Sequence, residues 1–120
     1  MNSLRLMTGR RVLIVEDEYF IADEMRQDFE EAGAKVLGPV PTVEAALSLL
    51  GRTPALDGAV LDIKLRGEMG YPIADALIER GVPFVFSTGY DAANIPAKYG
   101  SVARCEKPVE AQKVGHALFA

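Results

Sequence analysis

Short, unbroken apolar runs, each closed by a polar side chain, alternate along this chain with segments of helical periodicity. The first run is Val12, Leu13, Ile14 and Val15, closed by Glu16, Asp17 and Glu18. A gapless, β-branched run predicts a strand buried on both faces. Over 19–32, Phe20, Ile21, Met25 and Phe29 recur near helical spacing, and Gly33 suits the helix end. Val36 and Leu37 make a short second strand closed by Gly38 and Pro39. Thr42 suits the N-cap of a helix running to Leu50, with Gly51 ending it. A third strand over 58–61 finishes at Asp62, and a Gly-rich loop fills 64–70. Pro72 fits the first turn of a helix that ends at Gly81. Phe84, Val85 and Phe86 form a fourth strand closing on Ser87, Thr88 and Gly89. A weaker fifth strand covers 102–105, and Lys107 and Pro108 turn the chain into a last helix over 109–119. In 91–100, Pro96 and Gly100 leave room for only a turn or two of helix.

Five strands alternating with helices predict βαβ units and an α/β fold around a parallel sheet. At 120 residues the chain can bury one hydrophobic core, so a single domain over 10–120 behind a short tail, 1–9, is expected. A net charge of −4, with basic residues spread out, argues against a nucleic-acid surface. The lone cysteine, Cys105, excludes an internal disulfide and a Cys-based zinc site, and fits a small core residue in a reducing compartment. The run at 12–15 is too short for a signal-peptide core, and no apolar stretch approaches the roughly 20 residues that span a bilayer. A cytoplasmic protein without membrane or nucleic-acid partners is expected.

In an open parallel sheet, ligands bind outside the carboxyl ends of the strands. Glu16 and Asp17 end the first strand, Asp62 the third, Ser87 and Thr88 the fourth, and Glu106 and Lys107 the fifth. Three carboxylates sharing one sheet edge repel, and a hard cation such as Mg²⁺ relieves that repulsion through oxygen ligands. A carboxylate can also attack phosphorus and form an aspartyl phosphate. Lys107 supplies compact positive charge for phosphoryl oxygens, and Thr88 supplies a hydroxyl.

These residues, in this order, closely resemble the receiver domains of two-component response regulators, over nearly the whole chain. The resemblance rests on Val15, Glu16, Asp17 and Glu18; on Leu61, Asp62 and Ile63; on Ser87, Thr88 and Gly89; and on Lys107 and Pro108. It implies a doubly wound, flavodoxin-like five-stranded sheet in the order 2-1-3-4-5. It also implies Asp62 as phosphoacceptor, and Mg²⁺ held by Glu16, Asp17, Asp62 and the backbone carbonyl of Lys64. Thr88 would bond the phosphoryl group, and Lys107, before a cis proline bond, would pair with it. The stretch 83–90 is similar to an atypical subfamily signature, Phe-Ala-Thr-Gly-X-Tyr, with Ser87 in place of its Ala and Tyr90 directly after Gly89. Members of that subfamily are often single-domain proteins of alphaproteobacteria paired with atypical histidine kinases.

The resemblance has one marked departure. Receivers usually carry an aromatic residue three positions before the Lys of the Lys-Pro turn; here Arg104 stands there. Tyr90, Tyr99 or a rearrangement between Thr88 and Gly100 are the substitutes on offer. Glu16 in place of the commoner Asp still ligates a cation.

Plainer roles exist for each residue. Glu16, Asp17 and Glu18 suit a helix N-terminus. Ser87 and Thr88 suit N-caps, Lys107-Pro108 a simple turn, and His116 a solvated helix face. The loop at 67–70 lacks the Gly-Lys-Ser/Thr ending of a phosphate loop.

The implied function is a phosphorylation-dependent switch or phosphorelay protein, not an enzyme. Its partners would be a histidine kinase or phosphotransfer protein and an unidentified downstream protein, with the chain a monomer or weak dimer. A receiver that binds partners without phosphate is one alternative. An aspartyl-phosphate phosphohydrolase is another, but it needs a second Asp two positions after the nucleophile, where this chain has Lys64.

Overall fold

A computed structural model describes residues 3–89 and 95–120. Five parallel strands carry the chain: β1 (Arg11–Val15), β2 (Lys35–Val40), β3 (Gly58–Asp62), β6 (Phe84–Thr88) and β7 (Ala103–Glu106). They are hydrogen-bonded in the order β2-β1-β3-β6-β7, the order expected for the five sheet strands. The Gly-rich loop after β3 folds into a two-residue hairpin, β4 (Lys64–Leu65) with β5 (Glu68–Met69). Among the described residues three α-helices join strands, α1 (Tyr19–Glu31), α2 (Val43–Gly51) and α3 (Tyr71–Glu79), and α4 (Ala111–Phe119) follows β7. None of the described helices is long and apolar enough to cross a membrane.

The sheet divides the apolar side chains into two cores. On one face Leu13, Leu61, Phe84 and Phe86 pack against Leu50 of α2 and Ile73 and Leu77 of α3. On the other, Ile14, Val60, Val85 and Cys105 pack against Met25 and Phe29 of α1 and Val114 of α4. β3 and β6 are buried along their whole lengths, which is why their sequences run apolar without alternation. The Asp28 carboxylate accepts the Ala111 backbone N–H at 2.7 Å, tying α1 to the start of α4.

The structure departs from the sequence reading in several places. The described part of the expected tail forms a 3-10 helix, Ser3–Met7, with Met7 fully buried beside Val12 and Val114. Leu4, Leu6 and Met7 make too short a run to show periodicity, and only the packing of Leu6 and Met7 against Gly115 of α4 reveals their role. Phe20 is 75% exposed, because the buried stripe of α1 is Ala22, Met25 and Phe29. β2 continues through a cis Gly38–Pro39 bond to Val40. A Cβ at Gly38 (φ +88) would lie 2.9 Å from the Ile14 carbonyl, so only glycine fits there. In 91–100, residues 91–94 lie outside the described residues, and the rest holds a single 3-10 turn, Ala97–Tyr99. The Lys107–Pro108 bond is cis, as expected.

Candidate functional site

Four of the residues singled out at the strand ends, Glu16, Asp17, Asp62 and Lys107, meet at one corner of the sheet, and Glu106 is exposed. Glu16, Asp17 and Asp62 each offer a carboxylate oxygen, and these oxygens lie within 4.8 Å of one another. Glu16 is 2% and Asp62 8% exposed. Lys107 leaves the end of β7 and reaches past β6, setting its Nζ 3.0 Å from Asp62 Oδ2 and 2.9 Å from Glu16 Oε1. Thr88, the last residue of β6, is buried, and its carbonyl accepts the Lys107 N–H at 2.9 Å.

Backbone groups hold the acids in place. The Glu18 N–H donates to Glu16 Oε2 at 3.0 Å, while Glu18 itself caps α1 by accepting the Ile21 N–H. The Lys64 N–H reaches Asp62 Oδ1 at 3.4 Å. The Arg66 N–H donates to Asp17 Oδ2 at 2.9 Å, which locks the hairpin onto the acidic corner. Gly70 closes that loop, and a Cβ there would fall 2.7 Å from the Asp62 carbonyl oxygen. A cleft of about 320 Å³ opens beside the acids, with Asp17, Tyr19, Arg26, Pro39 and Arg66 in its wall.

Arg66 is the sole described non-glycine residue at positive φ (+46°). The αL region costs a residue with a Cβ about 1–2 kcal/mol, part of which glycine returns as unfolded-chain entropy. Arg66→Gly is therefore expected to raise stability by about 0.5–1 kcal/mol. Paired denaturant titrations would read it, and a destabilised variant would show that the arginine side chain matters more than the backbone.

The electrostatics are those of an undercompensated acid cluster. Burial pushes the Glu16 carboxyl up to about 7; the Glu18 N–H and Lys107 pull it down, and the Asp62 charge pushes it up again. Burial opposes the Lys107 charge, but hydrogen bonds to Glu16 and Asp62 outweigh it and raise its pKa. One ammonium faces three carboxylates here. All the donors are oxygen, and a hard divalent cation such as Mg²⁺ suits both the donor set and the residual charge.

Some expectations were relocated. Ser87 and Thr88 are strand residues rather than N-caps, and the Ser87 hydroxyl is buried with no hydrogen-bond partner among the described residues. Arg104 is exposed, so no aromatic ring occupies that position of β7. Tyr90 lies outside the described residues. Tyr99 is 2% exposed and stacks on Tyr71 at 4.9 Å, edge-on to Phe86 at 5.9 Å. Its hydroxyl donates to Asp75 Oδ1 of α3 at 2.6 Å, and Lys98 pairs with the same oxygen at 3.1 Å. Burial, then the bond to Asp75, raises the Tyr99 pKa. His116 is exposed on α4, and Cys105 is buried. Sequence reasoning weighed Tyr99 but missed Asp75, whose partner is 24 residues away.

No family model and no curated protein matches this chain. Solved structures do. The chain is similar to SdrG from Sphingomonas melonis Fr1, with 34% identity, 98% of this chain and 96% of that one covered, and a TM-score of 0.79. It is similar to the BeF3-activated conformation of SdrG, from Pseudomonas melonis Fr1, at 32% identity, 94% and 98% coverage, and a TM-score of 0.79. A response regulator receiver protein from Sinorhizobium medicae WSM419 shares the fold at 22% identity, 92% and 91% coverage, and a TM-score of 0.75.

Proposed function

Because this chain belongs to the receiver domains of two-component response regulators, and so has a signalling role, we propose that it works as a phosphorylation-dependent switch or relay with Asp62 as phosphoacceptor. The observation that carries this reading is Asp62 at the centre of the acidic corner, 3.0 Å from the Lys107 ammonium.

The chemistry follows from the residues. A donor presents a phosphoryl group bonded to an imidazole nitrogen. A carboxylate oxygen of Asp62 forms a bond to phosphorus as the P–N bond breaks, and the imidazole leaves with the bonding pair and takes up a proton. Lys107 is held by two carboxylates before transfer, so its charge already stands beside the oxygens that the phosphoryl group brings. Thr88 adds a hydroxyl at the same sheet edge. Glu16, Asp17, Asp62 and the Lys64 carbonyl would hold Mg²⁺, which would supply positive charge against the phosphoryl oxygens. A histidine kinase or a phosphotransfer protein would supply the phosphoryl group. The new charge would reorder the loops that follow β3, β6 and β7, and a downstream protein would read the change.

Incubation with acetyl phosphate and Mg²⁺, read by intact mass, tests this directly. A gain of one phosphoryl group that disappears with a chelator is the expected result. Failure of acetyl phosphate, a phosphoramidate and a histidine kinase alike to label a folded, Mg²⁺-binding chain would sink the reading.

A further inference from the structure

The Ser87 hydroxyl is buried in the wall of this site and has no hydrogen-bond partner among the described residues, although the residue is only 1% exposed. Leaving a hydroxyl unpaired in the interior is unfavourable, and a chain that carries one at a reactive corner invites the question of which state pairs it.

The register answers where that hydroxyl lies. Asp62 and Ser87 are Cα partners across β3 and β6. Val60 and Val85 fall in one core and Leu61 and Phe86 in the other, so two-residue alternation puts Asp62 and Ser87 on the same face of the sheet. Val12 and Ile14 belong to that face too, which brings Glu16 to it. Neighbouring strands lie about 4.8 Å apart, within reach of a serine oxygen and a carboxylate turned toward each other. The Lys107 side chain, running from the end of β7 to Asp62 and Glu16, crosses the end of β6 beside Ser87. Thr88 sits one residue further along, toward the opposite face.

We propose that Ser87 is a positioning residue for the phosphorylated state: its hydroxyl donates a hydrogen bond to the carbonyl oxygen that Asp62 retains once its other oxygen bears phosphorus. In the unmodified chain Lys107 occupies Asp62 Oδ2, and the Lys64 N–H lies at 3.4 Å from Oδ1. After transfer, the phosphoryl oxygens carry the negative charge and draw the ammonium away from Asp62, which leaves one lone pair of the retained carbonyl oxygen, the oxygen that would also face Mg²⁺, to accept from Ser87. The hydroxyl is thus unpaired in one state and paired in the other, which favours the modified state. The inference rests on the phosphoacceptor reading of Asp62.

Beryllofluoride, a tetrahedral phosphoryl mimic that bonds to a carboxylate oxygen, separates the two claims. Wild type, Ser87→Ala and Asp62→Asn would be titrated with it in Mg²⁺ and followed by thermal melting, beside melts without the mimic. Without the mimic, Ser87→Ala should melt at or slightly above wild type, because the unpaired hydroxyl is gone. With it, Ser87→Ala should need about three- to tenfold more beryllofluoride for half-saturation, the worth of one lost hydrogen bond. Half-saturation equal to wild type, or an equal loss of stability with and without the mimic, would overturn the role of Ser87 while leaving Asp62 as acceptor. A wild type that responds no more than Asp62→Asn would overturn both.

Discussion

Asp62→Asn is expected to yield no phosphoryl adduct at all under conditions that fully label the wild type. An amide nitrogen or oxygen does not replace a carboxylate as nucleophile toward phosphorus, so the loss is complete rather than graded. The fold should survive. Asn has nearly the same shape, and Lys107 keeps its 2.9 Å contact with Glu16 when the contact with residue 62 weakens. One of three mutually repelling carboxylates becomes neutral, which removes one of the influences that raise the Glu16 carboxyl to about 7. The variant should therefore melt within a few degrees of wild type and show a lower Glu16 pKa, readable by carboxyl carbon NMR. An adduct that persists in Asp62→Asn would move the acceptor to another residue.

The second large effect is structural. Phe86→Ala should lower stability by about 3–5 kcal/mol, the usual cost of emptying a fully buried aromatic site. Phe86 is 0% exposed and meets Phe84 at 5.5 Å, Tyr71 at 6.3 Å and Tyr99 at 5.9 Å, each nearly edge-on. Three rings from β6, α3 and the 97–99 turn would lose a common neighbour, so the cavity has little flexible material to fill it. Domains of this kind hold about 5–15 kcal/mol in total, so the variant would be left marginal. A fall in melting temperature of roughly 10–20 °C is expected. Denaturant unfolding with an unchanged slope is the control that two-state behaviour persists. A loss below about 1 kcal/mol would mean that Tyr99 or Tyr71 collapses into the space, and would argue for a looser aromatic cluster than the ring geometry indicates.

That cluster bears on the departure at Arg104. Where receivers usually place an aromatic ring, this chain has an exposed arginine, while Tyr99 is packed inside and bonded to Asp75 on α3. The ring that borders Phe86, and so the strand that ends in Ser87 and Thr88, comes from a different segment and is anchored to a different helix.

Much of the fold was legible because its signals are local. The gapless run at 12–15 and the one ending at Asp62 read as doubly covered strands. Thr42 reads as a cap from the sequence alone, and its hydroxyl accepts the Ala45 N–H at 3.1 Å. What failed had no local signal. Met7 lies in a stretch without periodicity, and Phe20 has the right residue type on the wrong side of α1. The 64–70 loop pairs as a hairpin through contacts that a Gly-rich composition does not announce.

Strand-end chemistry was likewise set by the sequence: which acids, hydroxyls and amines come last before each turn depends only on where apolar runs stop. Their meeting at one corner followed from parallel topology, since every strand delivers its carboxyl end to the same edge. Only the tertiary structure decided which partners they find there. Lys107 bridges Glu16 and Asp62 from beyond the end of β7, and Arg66 reaches Asp17 through its backbone rather than its charge. Ser87 has no hydrogen-bond partner among the described residues: its face of the strand is buried, and its strand neighbour Asp62 already holds Lys107. Pairings of this kind depend on packing distances across strands, and residues far apart in the chain carry no mark of them.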